Sequence, residues 1–210
     1  MFCPKCGIAN DDSNRECIHC GTLLAREPVE ALKPVKPMNR MFFLLSVAVP
    51  GALSQALIIP ALLSLRRDPH DLLAMPPLLL GQLLLLYVAA VTAVMWFRAW
   101  RAIQDGHARA SAAKAVGFLF IPFFNLYWVF EAFWGFAKDC NALFRRHRVS
   151  ANRLPEWLFL LSCILTLASL PIGFVPVARM VLPVVSLGVL VVVVHLVTRA
   201  VNELSSHVQA

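Results

Sequence analysis

Charged residues are scarce in this chain: Asp, Glu, Lys and Arg make up 15% of 210 residues, against 59% hydrophobic residues and a mean hydropathy of +0.70. A soluble domain of this length cannot carry so apolar a composition. The scarcity excludes that class and points to an integral membrane protein. Catalytic signatures are missing as well. There is no His-Glu-x-x-His, no phosphate-cradling glycine loop, no Gly-x-Ser-x-Gly and no dinucleotide fingerprint, so no enzyme class is supported by residue spacing. The formal charge of +7 comes from 19 Lys and Arg over 12 Asp and Glu, but the basic residues sit at the ends of apolar runs. There they anchor helices and set their orientation. No apolar run precedes Met41, so no cleavable export signal is expected at the start.

Cysteine, by contrast, is concentrated. The first segment reads MFCPKCGIANDDSNRECIHCGTLL, with Cys3-x-x-Cys6 and Cys17-x-x-Cys20, each pair followed by a glycine, Gly7 or Gly21. Two such knuckles supply four thiolates for one tetrahedral ion, and the glycine permits the tight turn behind each pair. A closed four-thiolate shell has no position for water or substrate, so the expected cofactor is a structural Zn2+. The alternatives are a disulfide pair, disfavoured without an export signal, and iron in the same shell. His19 reads as a solvated knuckle residue, and Cys140 and Cys163 as packing residues. Across residues 1–26, Lys5, Arg15 and Arg26 balance Asp11, Asp12 and Glu16. Phosphate binding needs a basic face, so nucleic acid is an unlikely partner for this segment and a protein is the better expectation.

This segment resembles the short zinc ribbon found at the N-terminus of many bacterial membrane proteins, with the pattern Met-x-Cys-Pro-x-Cys-Gly, a polar turn, then Cys-x-x-Cys-Gly. All four ligand positions match. The second knuckle departs from it with Ile18-His19, where proline is frequent.

Residues 27–40 form a Pro/Lys-rich linker, semi-rigid by composition. The helical membrane domain follows at 41–210, with four spans expected at about 41–65, 78–97, 157–174 and 180–201. Between the second and third lies GFLFIPFFNLYWVFEAFWGF, Gly117 to Phe136, long enough to cross yet interrupted by Pro122, Asn125 and Glu131. Basic residues discriminate between crossing and returning. Six precede the first span, two follow it, four lie before the disputed segment, five after it, one in the last hairpin and one at the C-terminal end. If the segment crosses, eleven face one side and eight the other; if it returns, sixteen face one side and three the other. The second arrangement carries the bias expected of a cytoplasmic face.

Pro122 is expected to end a helix at Ile121, and Asn125 to cap a new one starting at Leu126. The turn between them should pack inside the bundle, because broken backbone at membrane depth needs polar partners. Leu126, Phe130, Phe133, Trp134, Ala137 and Phe144 recur at helical spacing opposite Glu131, Lys138, Asp139 and Arg145, which reads as an amphipathic helix lying on the cytoplasmic interface. The fold expected is therefore an all-α polytopic membrane protein with four transmembrane helices and a broken re-entrant or interfacial helix at about 115–146. Five spans are the alternative. The stretch from Met95 to Arg101, then Phe120 to Trp128, resembles a region of bacterial multi-pass proteins with a Pro-x-x-Asn-x-Tyr/Trp core, a resemblance that implies no established activity.

Asp68, His70 and Asp71 read as a solvated turn, and Asp105-Gly106-His107 as a helix end. Glu131 is the polar residue to watch: a functional carboxylate among aromatics, or one paired with Arg or Lys of a neighbouring segment. The functional expectation is a non-enzymatic protein of the bacterial inner membrane, both termini cytoplasmic. Its ribbon recruits or senses a cytoplasmic protein, and its membrane part anchors, self-associates or responds to the lipid bilayer. The alternative is a small transporter or channel built on the broken helix around Pro122, Asn125 and Glu131.

Overall fold

A computed structural model describes residues 2–3, 5–11, 14, 16–23, 34–169 and 176–209. The chain divides into two compact units, Met1–Ala31 and Leu32–Ala210. Residues 27–33 of the expected linker, and 170–174 at the end of the expected third span, lie outside the described residues. Among the described residues the second unit is helical and has no strands.

Helix α1, Arg40–Arg67, starts where the Asn39 side chain accepts the Phe42 amide at 3.0 Å and ends on Arg66 and Arg67. Both signals suit the helix dipole and its unpaired terminal groups. Helix α2, Met75–Ala102, follows a 3-10 turn at Leu72–Ala74 that Asp71 caps. Prolines 76 and 77 occupy its first turn, where no backbone donor is needed. Helix α7 runs Pro176–Gln209. Among the described residues, three stretches are long and apolar enough to cross a membrane: Arg40–Arg67, Leu72–Ala102 and Val181–Gln209. The helices approach closely at small residues: a Cβ on Gly51 would lie 2.5 Å from Leu187 of α7, and one on Gly81 2.5 Å from Ile58 of α1. Helix α6, Glu156–Ala168, has 13 residues, about 20 Å of rise against a hydrocarbon layer of about 30 Å.

The region between α2 and α6 is a broken helical hairpin. It comprises α3 (Ala112–Gly117), a 3-10 turn (Phe118–Phe120), α4 (Phe124–Val129), a π-helical turn (Phe130–Trp134) and α5 (Gly135–Arg146). Its two arms fold against each other: the Trp128 indole donates to the Ala115 carbonyl at 3.0 Å, and Phe118 meets Trp128 edge-on at 4.9 Å. Its two ends are stapled together by reciprocal ion pairs. Arg146 donates from Nη2 and Nε to Asp105 Oδ2 at 2.6 and 3.0 Å. Arg109 donates from Nε to Asp139 at 2.9 Å and from Nη1 to Glu131 at 3.0 Å.

The aromatic stripe of this helix packs in part against protein. Trp96 of α2 stacks on Phe133 at 4.7 Å and meets Phe136 and Phe159 edge-on, while Trp100 packs edge-on against Phe136. Phe136, Ala137 and Phe144 are buried. α2 and α6 also donate to carbonyls in and just before the π turn: Trp100 Nε1 to Ala132 at 3.0 Å and the Cys163 thiol to Val129 at 3.4 Å.

At the beginning of α1, the Asn202 side chain of α7 binds both backbone groups of Met38, accepting at 2.6 Å and donating at 2.9 Å, and Ser205 donates to the Val35 carbonyl at 2.8 Å. The start of α1 and the end of α7 are thus neighbours.

Asp105 has a fully enclosed side chain. Burial alone would raise its pKa, but the hydrogen bonds from Arg146 and the His107 amide outweigh it and hold the carboxyl below its ordinary 3.8. A depressed carboxylate stabilises the fold above the unfolded value and loses that contribution as pH falls through the folded one. Asp105→Ala, which strands Arg146, is expected to cost about 3 kcal/mol, measured as a lower denaturation midpoint in detergent. Asp105→Asn should lose the part of the acid sensitivity that appears below about pH 4.

Candidate metal centre

The first unit is two copies of one knuckle. In the first, Cys3 donates its amide to the Ile8 carbonyl at 2.9 Å and Gly7 donates to the Cys3 carbonyl at 2.9 Å. In the second, Cys17 donates to Thr22 at 2.9 Å and Gly21 to Cys17 at 3.0 Å. Single antiparallel bridges, Phe2 to Ala9 and Glu16 to Leu23, close the two turns. Gly7 and Gly21 have φ of 71° and 65°, the left-handed conformation that the reversal demands, with open space where a side chain would be. Glycine is needed here for its backbone, not for room.

This repetition brings Cys3, Cys6, Cys17 and Cys20 together with all four ligand atoms within 4.8 Å of one another. Cys3 and Cys20 are 3.5 Å apart, as are Cys6 and Cys17. A tetrahedral Zn2+ with sulfur ligands at about 2.3 Å spaces them by about 3.8 Å, so the four thiols fit the ion closely. All six cysteines are free thiols, which sets aside the disulfide alternative. His19 is exposed and outside the group. Among the described residues no other cluster of His, Cys, Asp and Glu gathers for a metal. Asp68 and Asp71 instead cap their own turn, accepting the His70 and Leu73 amides at 3.0 Å.

Residues 2–24 match the zinc-ribbon domain family. The chain has a zinc ribbon at its N-terminus. No curated protein and no solved structure was found to be similar to the chain.

The ribbon's metal would be held by the four thiolates and would supply structure alone, since every coordination position is taken by protein. The electrostatics favour charging the sulfurs stepwise. Backbone N–H groups of Cys20 and His19 outweigh burial and draw the Cys17 thiol down to about 6. At Cys6 the Ile8 backbone group pulls downward, but burial and the other three sulfurs push the thiol up to about 12. Binding a cation therefore displaces protons from a crowded group of sulfurs.

Asn10 is the residue that spacing could not identify. It is buried at 7% exposure. Its Nδ2 donates to the Ile8 carbonyl at 2.8 Å and to Cys17 Sγ at 3.5 Å, while its Oδ1 accepts the Ile18 amide at 2.9 Å. One amide thus ties the first knuckle to the second and touches a ligand sulfur.

The three residues singled out in the membrane unit each take part in the geometry of the hairpin. Pro122 follows an extended Ile121, so the helix ends there as expected. Asn125 is not a cap: α4 starts at Phe124 after Phe123 with φ 62°, and Asn125 Nδ2 reaches back to the Leu119 carbonyl at 3.2 Å. The left-handed Phe123 turns the chain one residue earlier than a capping asparagine would, leaving the amide free for the arm behind it. Nor is the turn packed inside the bundle, for Phe120 and Phe123 are 74% and 87% exposed. Backbone–backbone bonds from the Ile121 and Phe124 amides, with the Asn125 side chain, pair part of the broken backbone. Glu131 is engaged by Arg109 and by the Tyr127 hydroxyl, which donates at 3.3 Å. This is the paired arrangement that its sequence left as one of two readings.

Asn10→Ala is expected to weaken zinc binding about 10- to 100-fold with all four ligands intact, measured by competition with a chromophoric chelator. Zinc affinity should also fall as pH is lowered, because protons compete for the same sulfurs.

Proposed function

We propose that this chain is a non-enzymatic protein of the bacterial inner membrane whose zinc ribbon, on the cytoplasmic side, binds or regulates a protein partner. The membrane unit serves as its anchor or scaffold. The carrying observation is the closed four-sulfur shell: a metal with no open position has no reaction to perform, so the unit offers only its surface. That surface exposes Phe2, Ile18 and Leu23 at 75%, 73% and 72%. A ribbon with no net charge and three projecting apolar side chains suits protein recognition better than phosphate binding.

The membrane arrangement in this reading is four spans plus a re-entrant hairpin, with both ends of the chain on one side. Support comes from the ion pair between Asp105 and Arg146, residues on either side of the broken segment. In a five-span protein about 30 Å of hydrocarbon would part them. The pairing of Asn202 with Met38 agrees with an even number of crossings between them. The apolar run expected at 157–174 supplies the fourth span in this reading.

A Cys17→Ser variant is expected to lose zinc and with it a crosslinkable cytoplasmic partner, while membrane insertion persists; equal partner recovery from the variant would sink the recruitment reading. A single cysteine at Ser150, with the other six replaced, should react with an impermeant thiol reagent only after the membranes are opened. Labelling of intact cells would instead demand a fifth crossing.

A further inference from the structure

The depth of the broken hairpin can be measured against α6. At its first residue, Glu156 accepts from Asn141 of α5 at 3.1 Å. Further along, Cys163 donates to the Val129 carbonyl at 3.4 Å. Seven helical steps separate these contacts, about 10 Å of rise along α6, so the returning arm crosses α6 in the opposite sense. That arm is helical without interruption from Phe124 to Arg146, with α-region dihedrals on both sides of the π turn. Extending it from Val129 to Phe124 adds about 8 Å. The outgoing arm gives a second gauge: six α-helical and three 3-10 residues span about 15 Å. Both values come close to half of a hydrocarbon layer of about 30 Å.

We propose that the hairpin tip, Phe120 to Tyr127, occupies the acyl-chain region of a single leaflet, the one on the side of Asp105 and Arg146. The occupant of this surface is lipid, and the protein displaces more of it from that leaflet than from the other. This rests on the re-entrant reading above and adds to it a depth and a side. The tip is chemically fit for the role. Phe120, Ile121, Phe123 and Tyr127 are exposed at 74%, 46%, 87% and 60%, an apolar surface that water would penalise. Four backbone groups near the break are paired within the hairpin: Leu119 O by Asn125, Ala115 O by Trp128, the Ile121 amide by Phe118 O and the Phe124 amide by Pro122 O. Irregular backbone with its polar groups paired in this way can enter hydrocarbon without the cost that excludes open loops.

The test uses full-length, zinc-loaded protein with a fluorescent amino acid at Phe123, reconstituted in phosphatidylcholine vesicles. One preparation contains lipid brominated near the chain ends and another contains lipid brominated near the headgroup. Loss of fluorescence should be greater with chain-end bromine, and aqueous iodide should leave it unchanged. Equal loss with both lipids, quenching by iodide, or no quenching at all overturns the proposal, the last meaning that protein or a second copy covers the tip. The same probe at Leu126 provides a second position if the first variant is poorly folded. Cysteines at Ser111 and Ser150 report on re-entry itself. Labelling from opposite sides defeats the underlying topology, whereas labelling from the same side with an unquenched tip defeats only the one-leaflet insertion.

Discussion

The salt bridge between Asp105 and Arg146 is the constraint on which the membrane unit turns, because it closes an excursion of 41 positions that begins and ends at one place. Within that loop the helix breaks at the Pro122 turn and shifts its bonding register in the π-helical turn before Gly135, and each leaves backbone groups without regular partners. Those groups find donors only because the loop's ends are fixed. Trp100, Cys163, Trp128 and Asn125 each reach a carbonyl freed near a break. A second staple of opposite polarity, Arg109 against Glu131 and Asp139, keeps the returning helix from sliding along its neighbours.

The same problem is solved repeatedly by side-chain amides, two of them buried. Asn10 joins the two zinc knuckles, Asn141 binds both the amide and the carbonyl of Leu154, and Asn202 does the same for Met38. In each case a side chain that donates and accepts at once substitutes for a missing backbone partner beside irregular chain. An alanine at such a position would leave two backbone groups unpaired, and unpaired buried groups cost more than the bond contributes. This chemistry pins the stretch before α6 to α5 and the stretch before α1 to α7.

The metal centre was legible almost completely in the cysteine spacing, because its ligands are local and the glycine that follows each pair reports the required turn. The helices expected at 41–65 and 78–97 were legible as long apolar runs, since lipid leaves few alternatives to a helix. What escaped was whatever depends on distant partners. Asn202 and Met38 lie 164 positions apart, and no window of sequence relates them. Asn125 was misjudged as a cap because asparagine before a helix usually plays that part. Here a left-handed Phe123 begins the helix earlier, and the amide serves the arm behind it. Asp105 looked like a plain helix end until Arg146 was brought onto it.

Composition and short-range spacing were therefore enough for the class of the molecule, its zinc ligands and the position of its longest helices, because each of these follows from the medium or from contacts within a few residues. The packed chain alone decides that Phe133 and Phe136 face Trp96, that Glu131 is spent on Arg109, and that the ends of the broken segment meet. Those outcomes depend on which distant group arrives to satisfy a buried charge or an orphaned carbonyl, and only tertiary contacts make that choice.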